Sequence, residues 1–206
     1  MSAPDGKILL ASRNPKKLAE LRRILGPALP HLEVLGLDDV APYDEAPETG
    51  ATFAENALAK ARDGFSRTNL RTVADDSGLS VDALNGMPGV LSARWAGQHG
   101  DDEANLRLVL AQLGDTPDER LGAAFVCAAA LVGPDGEKVF EGRMPGRLVR
   151  EPRGDNGFGY DPIFVADGFA QTNGEVAPDR KDAISHRGKA IRALARYLAK
   201  TEGAQL

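Results

Sequence analysis

Cysteine and histidine are nearly absent from this chain. One cysteine and three histidines among 206 residues exclude an internal disulfide framework, and no His/Cys/Asp spacing of a zinc site is present. The cysteine, Cys127, lies inside the apolar run Ala123–Val132, where a thiol behaves as a small buried hydrophobe. Such cysteine usage predicts a cytoplasmic protein. Excess positive charge is missing too. A net charge of −5 argues against sequence-blind binding of long nucleic acids, which takes a basic face. It leaves room for a small polyanion held by a local cluster of cations. No apolar run reaches the ~20 residues of a membrane-spanning helix, so no membrane partner is expected. The first residues, Met1-Ser2-Ala3-Pro4-Asp5-Gly6, lack a basic region followed by an apolar stretch, so no signal peptide is expected. Internal repeats and low-complexity segments are lacking. No glycine-rich stretch ends in Gly-Lys-Ser or Gly-Lys-Thr, which removes the P-loop, and there is no nucleophilic serine elbow.

Apolar residues, at 42%, are sufficient for a sizeable core, and the chain reads as a single domain, residues 1–206. Lys7–Ala11 reads as a short buried strand. Pro15 suits the first turn of a helix, and Leu18, Leu21, Ile24 and Leu25 keep helical spacing until Gly26-Pro27 stops the run. Glu33–Leu37 predicts a second strand, and Asp38–Gly50 an acidic, proline-containing loop. Thr52 and Glu55 form a capping-box pattern ahead of a helix carrying Phe53, Ala57, Leu58, Ala61 and Phe65. Thr72–Ala74 and Leu79–Leu84 read as short strands, followed by a glycine-rich loop, Asn85–Gly97. Asp101 or Asp102 is placed to cap a helix with Leu106, Val109, Leu110 and Leu113 inward. Ala123–Val132, the turn signal Pro134-Asp135-Gly136 and Lys138–Val149 predict an antiparallel hairpin. Ile163–Val165 is short and apolar. Ser185 is placed to cap a last helix with Ile191, Leu194, Ala195 and Leu198 inward. Strand–helix units, then a hairpin, then a closing helix predict an α/β fold around a mixed sheet.

Polar signatures lie at the edges of these apolar segments. Ser12-Arg13-Asn14-Pro15-Lys16-Lys17 occupies a strand-to-helix turn, where free backbone N–H groups attract anions. Ser12 and Asn14 add hydrogen bonds and Lys17 a positive charge. Taken alone, the segment is equally an ordinary capped helix with solvated basic residues. Asp75-Asp76-Ser77-Gly78 sets two adjacent carboxylates at the end of an apolar strand, which calls for compensating charge. If the segment stays extended, the two side chains point to opposite faces, so that one can bind metal while the other orients water. Magnesium takes oxygen ligands and relies on a few carboxylates plus substrate phosphates; Glu48, in Glu48-Thr49-Gly50, is the natural second one. Taken alone, the segment is equally an Asp-Ser-Gly turn with solvated aspartates. In the run from Gly154 to Pro162, glycines allow close approach of a ligand, Phe158 can stack on a base, and Asp161 can read its polar edge. A glycine-rich turn with a core phenylalanine would look the same, and the spacing is not a dinucleotide fingerprint. Lys181 offers a point charge, Arg187 a fork for phosphate, and His186 a donor for a base carbonyl. His186 alone could as well be a surface or capping histidine. Together the signatures supply carboxylates for a metal, cations for phosphates and an aromatic for a base.

In these stretches the chain resembles the inosine triphosphate pyrophosphatase family, the bacterial non-canonical purine nucleotide pyrophosphatases. The resemblance runs from Lys7 to the last helix. It is carried by Ala11-Ser12-Arg13-Asn14 with Lys17 and Glu20, Glu48-Thr49-Gly50-Ala51-Thr52-Phe53 with Glu55-Asn56-Ala57, Asp75-Asp76-Ser77-Gly78-Leu79, Pro88-Gly89-Val90 with Ser92-Ala93-Arg94, Gly157-Phe158-Gly159-Tyr160-Asp161-Pro162, and Ile184-Ser185-His186-Arg187-Gly188. It implies an elongated, two-lobed α/β fold around a central mixed sheet with flanking helices, and a substrate cleft between the lobes. It further implies a homodimer, a magnesium (Mg2+) requirement, and conversion of ITP, dITP or XTP to the monophosphate and pyrophosphate.

Carried over by position, Ser12, Arg13, Asn14, Pro15, Lys16 and Lys17 would hold the phosphates. Glu48 and Asp76 would position magnesium, and Asp76 would accept the proton of the attacking water. Ser77 would touch substrate. Phe158, Gly159, Tyr160, Asp161, Lys181, His186 and Arg187 would bind the nucleotide, with Phe158 against the base and His186-Arg187 near its 6-oxo edge. Two departures matter. Arg13 occupies a position where relatives often carry glycine. Thr172-Asn173-Gly174-Glu175-Val176 replaces a more helical Thr-x-Ala-Glu-Leu pattern, which puts the loop before Lys181 in doubt. Two other readings stay open: a Maf-like pyrophosphatase for modified nucleotides, and a non-catalytic nucleotide- or RNA-binding module. The second is disfavoured because phosphate binding alone gains little from Glu48, Asp75 and Asp76.

Overall fold

A computed structural model of the chain describes residues 6–44 and 47–203. All but Gly6 of the N-terminal stretch read above for a signal peptide, and Glu45 and Ala46 of the acidic loop, lie outside the described residues. Strands β1 (Lys7–Leu10), β2 (Glu33–Leu35), β3 (Arg71–Val81), β4 (Gly122–Gly133), β5 (Gly136–Leu148) and β6 (Phe164–Ala166) form one sheet in the order β2-β1-β3-β4-β5-β6. Helices α1 (Pro15–Ala28) and α2 (Phe53–Thr68) lie on the connections between the parallel strands; β1 pairs in parallel with both β2 and β3. The link between β4 and β5 is only Pro134-Asp135, short enough for an antiparallel hairpin alone, and β5 pairs antiparallel with β6. The sheet is therefore mixed. Three further helices follow: α3 (Asp102–Gln112), α4 (Pro178–Ile184) and α5 (His186–Gly203). Among the described residues no helix is long and apolar enough to cross a membrane.

The residues form two compact units. The first takes the described residues up to Asp76, then Cys127–Gly142, then those from Arg187 onward. Its main core packs Ile8 and Leu10 of β1 with Leu21 and Leu25 of α1 and Ile191, Leu194 and Leu198 of α5. A second cluster, of Ala57, Ala61, Ala74, Ala128, Ala130 and Val132, brings α2 against the sheet. Asn14 caps α1, its side chain accepting the Lys16 N–H at 2.9 Å. Gly26-Pro27 does not stop this helix, which runs to Ala28. Pro27 stands one residue from its end, and the Leu29 N–H still reaches the Leu25 carbonyl at 2.8 Å. Strand β2 is shorter than predicted because the Asp39 carboxylate accepts the Gly36 N–H at 2.8 Å and turns Leu37–Asp39 into a 3-10 helix. Thr52 caps α2 by accepting the Glu55 N–H at 3.1 Å, but the Glu55 carboxylate bonds the Ala51 N–H at 2.6 Å instead of closing the box on Thr52.

The second unit comprises Ser77–Val126 and Arg143–His186. Leu79, Val81, Leu106, Val109, Phe125, Met144, Ile163 and Phe164 form its core. Asp101 caps α3, accepting the Ala104 N–H at 3.0 Å. The predicted glycine-rich loop contains a cis Met87-Pro88 peptide and a 3-10 helix, Gly89–Arg94. Helix α4 was not expected from the sequence; its seven residues bury no side chain, so no apolar period announces it. Ser185 stands between α4 and α5, where its hydroxyl donates to the Asp182 carbonyl at 3.2 Å.

The largest difference from expectation is β3. Two short strands were predicted, with Asp75–Gly78 between them either extended or an Asp-Ser-Gly turn; one strand of 11 residues runs through. Gly78 permits this, because a Cβ there would lie 2.6 Å from the Gly89 carbonyl oxygen and 2.3 Å from Ser92 Oγ. The Ser92 hydroxyl donates to that carbonyl at 2.6 Å and accepts the Leu79 N–H at 2.9 Å. Gly78→Ala is accordingly expected to destabilise the protein by about 1–3 kcal/mol, the range for overpacking against atoms that cannot retreat. Urea unfolding reads this directly, and an unchanged midpoint would refute the close-approach account.

Candidate active site

The turn from β1 into α1 is built as the sequence implies. The Asn14 N–H bonds Ser12 Oγ at 3.3 Å, and Pro15 is the first helical residue. Lys16 and Lys17 follow, and the first turn contains no acid. Cations at the positive end of a helix dipole are unfavourable, so this turn is electrostatically suited to an anion. Arg13 donates to the Tyr43 carbonyl at 3.5 Å.

Asp75 and Asp76 make their short contacts with different segments, Asp75 with Lys17 and Arg187 and Asp76 with Asn56 of α2, as alternation along an extended strand implies. Asp75 is only 4% exposed; its Oδ2 lies 2.9 Å from Lys17 Nζ and 3.1 Å from Arg187 Nε. Burial works to raise the Asp75 carboxyl, but the charges of Lys17 and Arg187 outweigh it and hold the group far below the usual carboxylate range. Arg187 also approaches Glu20 at 3.8 Å. The Cys127 thiol, 4.0 Å from the same Asp75 oxygen, is pushed up by burial and by that carboxylate.

Asp76 faces α2. Its Oδ2 accepts from Asn56 Nδ2 at 2.9 Å, and its Oδ1 lies 3.9 Å from Lys60 Nζ. Lys60 also donates to Glu48 Oε1 at 2.7 Å. The ammonium thus draws both carboxylates toward one cationic position. Asn56 ties the Glu48 loop to the same place, since its Oδ1 accepts the Gly50 N–H at 2.7 Å. Burial raises the Asp76 carboxyl, and Lys60 and Asn56 only partly pull it back. Two hard oxygen donors converging on a cation fit magnesium, which uses few carboxylates beside phosphates and water. Among the described residues no group of three or more His, Cys, Asp or Glu is arranged to hold a metal. Lys60 was missed in the sequence; its signal is the four-residue spacing from Asn56, which puts both on one face of α2.

The remaining candidates lie in the second unit. Ser77 continues β3 and is half-buried. Asp161 is 3% exposed and holds the loop together: Oδ2 accepts the Phe158 N–H at 2.9 Å and the Lys181 ammonium, while Oδ1 accepts Asn173 Nδ2 at 3.1 Å. The departing stretch, residues 172–176, is therefore an ordered turn that supports Asp161; the Asn173 N–H also bonds the Phe164 carbonyl at 2.8 Å. Lys181 Nζ stands 5.5 Å from the centroid of Phe158, whose side chain is largely exposed. Tyr160 is buried, its hydroxyl donating to the Ser92 carbonyl at 2.8 Å. His186 stacks on Phe125 at 5.1 Å and an interplanar angle of 13°, and Phe125 in turn meets Phe164 edge-on. Phe125 and Asn173 were not anticipated as supports.

The first unit thus gathers Ser12 to Lys17, Glu48, Asp76 and Arg187, and the second gathers Ser77, Phe158 to Asp161, Lys181 and His186. A dITP/XTP pyrophosphatase of Mycolicibacterium paratuberculosis is 65% identical over 189 residues, covering 91% of this chain and 93% of that protein. The crystal structure of a nucleoside-triphosphatase / dITP/XTP pyrophosphatase from Mycobacterium abscessus matches at 63% identity and a TM-score of 0.79, over 91% of this chain and 98% of its own. The Staphylococcus aureus Ham1 protein matches at 39% identity and a TM-score of 0.88, over 95% and 99%. The Ham1 family itself matches residues 8–197, an interval that takes in every signature from the β1–α1 turn to the start of α5, and the chain belongs to that family.

Proposed function

We propose that the protein is a magnesium-dependent nucleoside triphosphate pyrophosphatase that converts ITP, dITP and XTP to the monophosphate and pyrophosphate. One observation carries the reading: Glu48 and Asp76 share the Lys60 ammonium, so two carboxylates already converge where a cation is wanted. The activity named for the M. paratuberculosis and M. abscessus relatives supports it.

When bound by Glu48 and Asp76, magnesium supplies Lewis-acid stabilisation of charge on the phosphate oxygens. The N-terminus of α1, with Ser12, Asn14, Lys16 and Lys17, binds the phosphates. Asn56 donates to Asp76 Oδ2 and so orients the carboxylate that takes the proton of a water molecule. That water adds to phosphorus as the α–β anhydride bond breaks and pyrophosphate leaves. A carboxyl raised by burial is a stronger base than a solvated one. Lys17 and Lys181 offset negative charge on the leaving group. Phe158 stacks on the purine. His186, with its ring held flat by Phe125, and Arg187 serve its 6-oxo edge, which rejects a 6-amino purine by leaving polar groups unpaired. His186→Ala is expected to reduce the preference for ITP over ATP by about tenfold; an unchanged ratio would exclude His186 from base choice.

The resemblance carries with it a homodimer, which sedimentation of the purified chain checks; the single cysteine is what points to a cytoplasmic location. The decisive experiment is a product assay with ITP and, separately, ATP, with and without magnesium, distinguishing pyrophosphate from phosphate. Magnesium-dependent conversion of ITP to IMP and pyrophosphate, with ATP nearly untouched, is the expected result. Release of single phosphates, or equal use of ATP, would overturn the reading.

A further inference from the structure

Two glycines flank Phe158, and both have left-handed backbone angles: φ is +83° at Gly157 and +61° at Gly159. A segment of this kind has little stiffness of its own. Burial cannot fix the ring either, because Phe158 is 52% exposed. Its direction depends on what holds the backbone on either side. Two carboxylates do so. Asp161, within the loop, accepts the Phe158 N–H. The next N–H, that of Gly159, goes to Oδ2 of Asp102 at 2.7 Å, a partner 57 residues away in sequence.

Asp102 is the first residue of α3, and α3 is a firm base. Leu106 and Val109 are buried in the core of the second unit, and Asn105 accepts the Ala96 N–H at 2.7 Å, so the helix is anchored independently of its Asp101 cap. A carboxylate in a first helical turn is itself favoured by the helix dipole.

We propose that Asp102 is a positioning residue for the nucleotide: it latches the Phe158 loop to α3 and fixes the plane against which a purine stacks. The proposal rests on the reading of Phe158 as the base-stacking residue. The latch does little for stability. Asp102 is exposed, on the wall of an open hollow of about 890 Å3 that Leu106, Gly157, Phe158 and Gly159 also line. Without the carboxylate, water reaches the Gly159 N–H, so no buried donor is stranded. What changes is the number of orientations open to the ring, and hence the entropy lost when a base is bound. The effect falls on binding, not on the chemical step.

The test combines steady-state kinetics on dITP with amide hydrogen exchange at Gly159, for the wild type, Asp102→Ala, Asp102→Asn and Asp101→Ala. Asp102→Ala is expected to raise KM by about 3- to 10-fold, the range set by ordering one side chain, with kcat unchanged to within about twofold. Asp102→Asn, whose amide oxygen still accepts the Gly159 N–H, recovers most of that loss. Asp101→Ala removes the α3 cap and lowers the thermal midpoint, but leaves KM and Gly159 exchange as they were. On a Phe158→Ala background, Asp102→Ala adds nothing further to KM, since both act through one ring. An unchanged KM in Asp102→Ala overturns the proposal, as does an equal rise in Asp101→Ala or a full additional rise on the Phe158→Ala background. If the wild type does not hydrolyse dITP, the functional reading fails. The latch is then judged by exchange: faster exchange at Gly159 in Asp102→Ala supports it, and unchanged exchange overturns it.

Discussion

Asp76→Asn lowers kcat on dITP by about 100-fold or more while leaving the folded state at least as stable as the wild type. The two halves of this expectation come from one fact. Burial raises the Asp76 carboxyl above its ordinary range, so its ionised form is less favoured in the folded chain than in the unfolded one. At neutral pH the charge therefore costs stability, and a neutral isostere removes that cost. The amide oxygen of the variant can still accept from Asn56, which keeps the side chain in place. What the variant loses is the capacity to accept a proton. Kinetics and urea unfolding on the same preparation check both halves. Near-wild-type turnover would remove Asp76 from the role of base; a large loss of stability would show that its charge holds the site together.

The neighbouring aspartate is expected to behave in the opposite way. Asp75→Ala destabilises the protein by about 3–5 kcal/mol, because it strips a buried counter-charge from Lys17 and Arg187. The pH dependence follows from the sign of its shift. The folded-state pKa is depressed, so the contribution is fully present above the unfolded value of about 3.9. It is lost as pH falls from there toward the folded value. Wild-type stability should therefore drop on acidification below about pH 4 more steeply than that of Asp75→Asn, which has no proton to gain. Parallel acid limbs for the two proteins would contradict the assigned charge balance.

Much of this arrangement was legible in the sequence because its signals are local. Pro15 and Asn14 announce the start of α1, Thr52 that of α2, and the alternation of side chains along β3 separates Asp75 from Asp76 before any partner is known. That the strand runs on through Asp75–Gly78 was left open for an equally physical reason. Asp-Ser-Gly is a turn when its aspartates are solvated, whereas groups distant in sequence, Lys17 and Arg187 at Asp75 and Asn56 and Lys60 at Asp76, support these buried in extended backbone. Lys60 was harder to read, because its spacing from Asn56 gains meaning only once Glu48 and Asp76 reach it from other segments. Asn173 was hidden for the same reason, since Asp161 is brought to it by the turn at residues 172–176. Helix α4 buries no side chain, so it left no period to read.

The convergence of Lys17 and Arg187 on a single oxygen of Asp75 also bears on how the protein is made. The three residues are synthesised far apart in time, and Arg187 emerges last. A nascent chain that has paired β1 with β3 has only one of the two cations that Asp75 requires, and α5, whose apolar face completes the first core, has not yet arrived. Charge balance at Asp75 and closure of the core thus wait on the same helix, so an unfinished chain on the ribosome would not yet have an intact first unit.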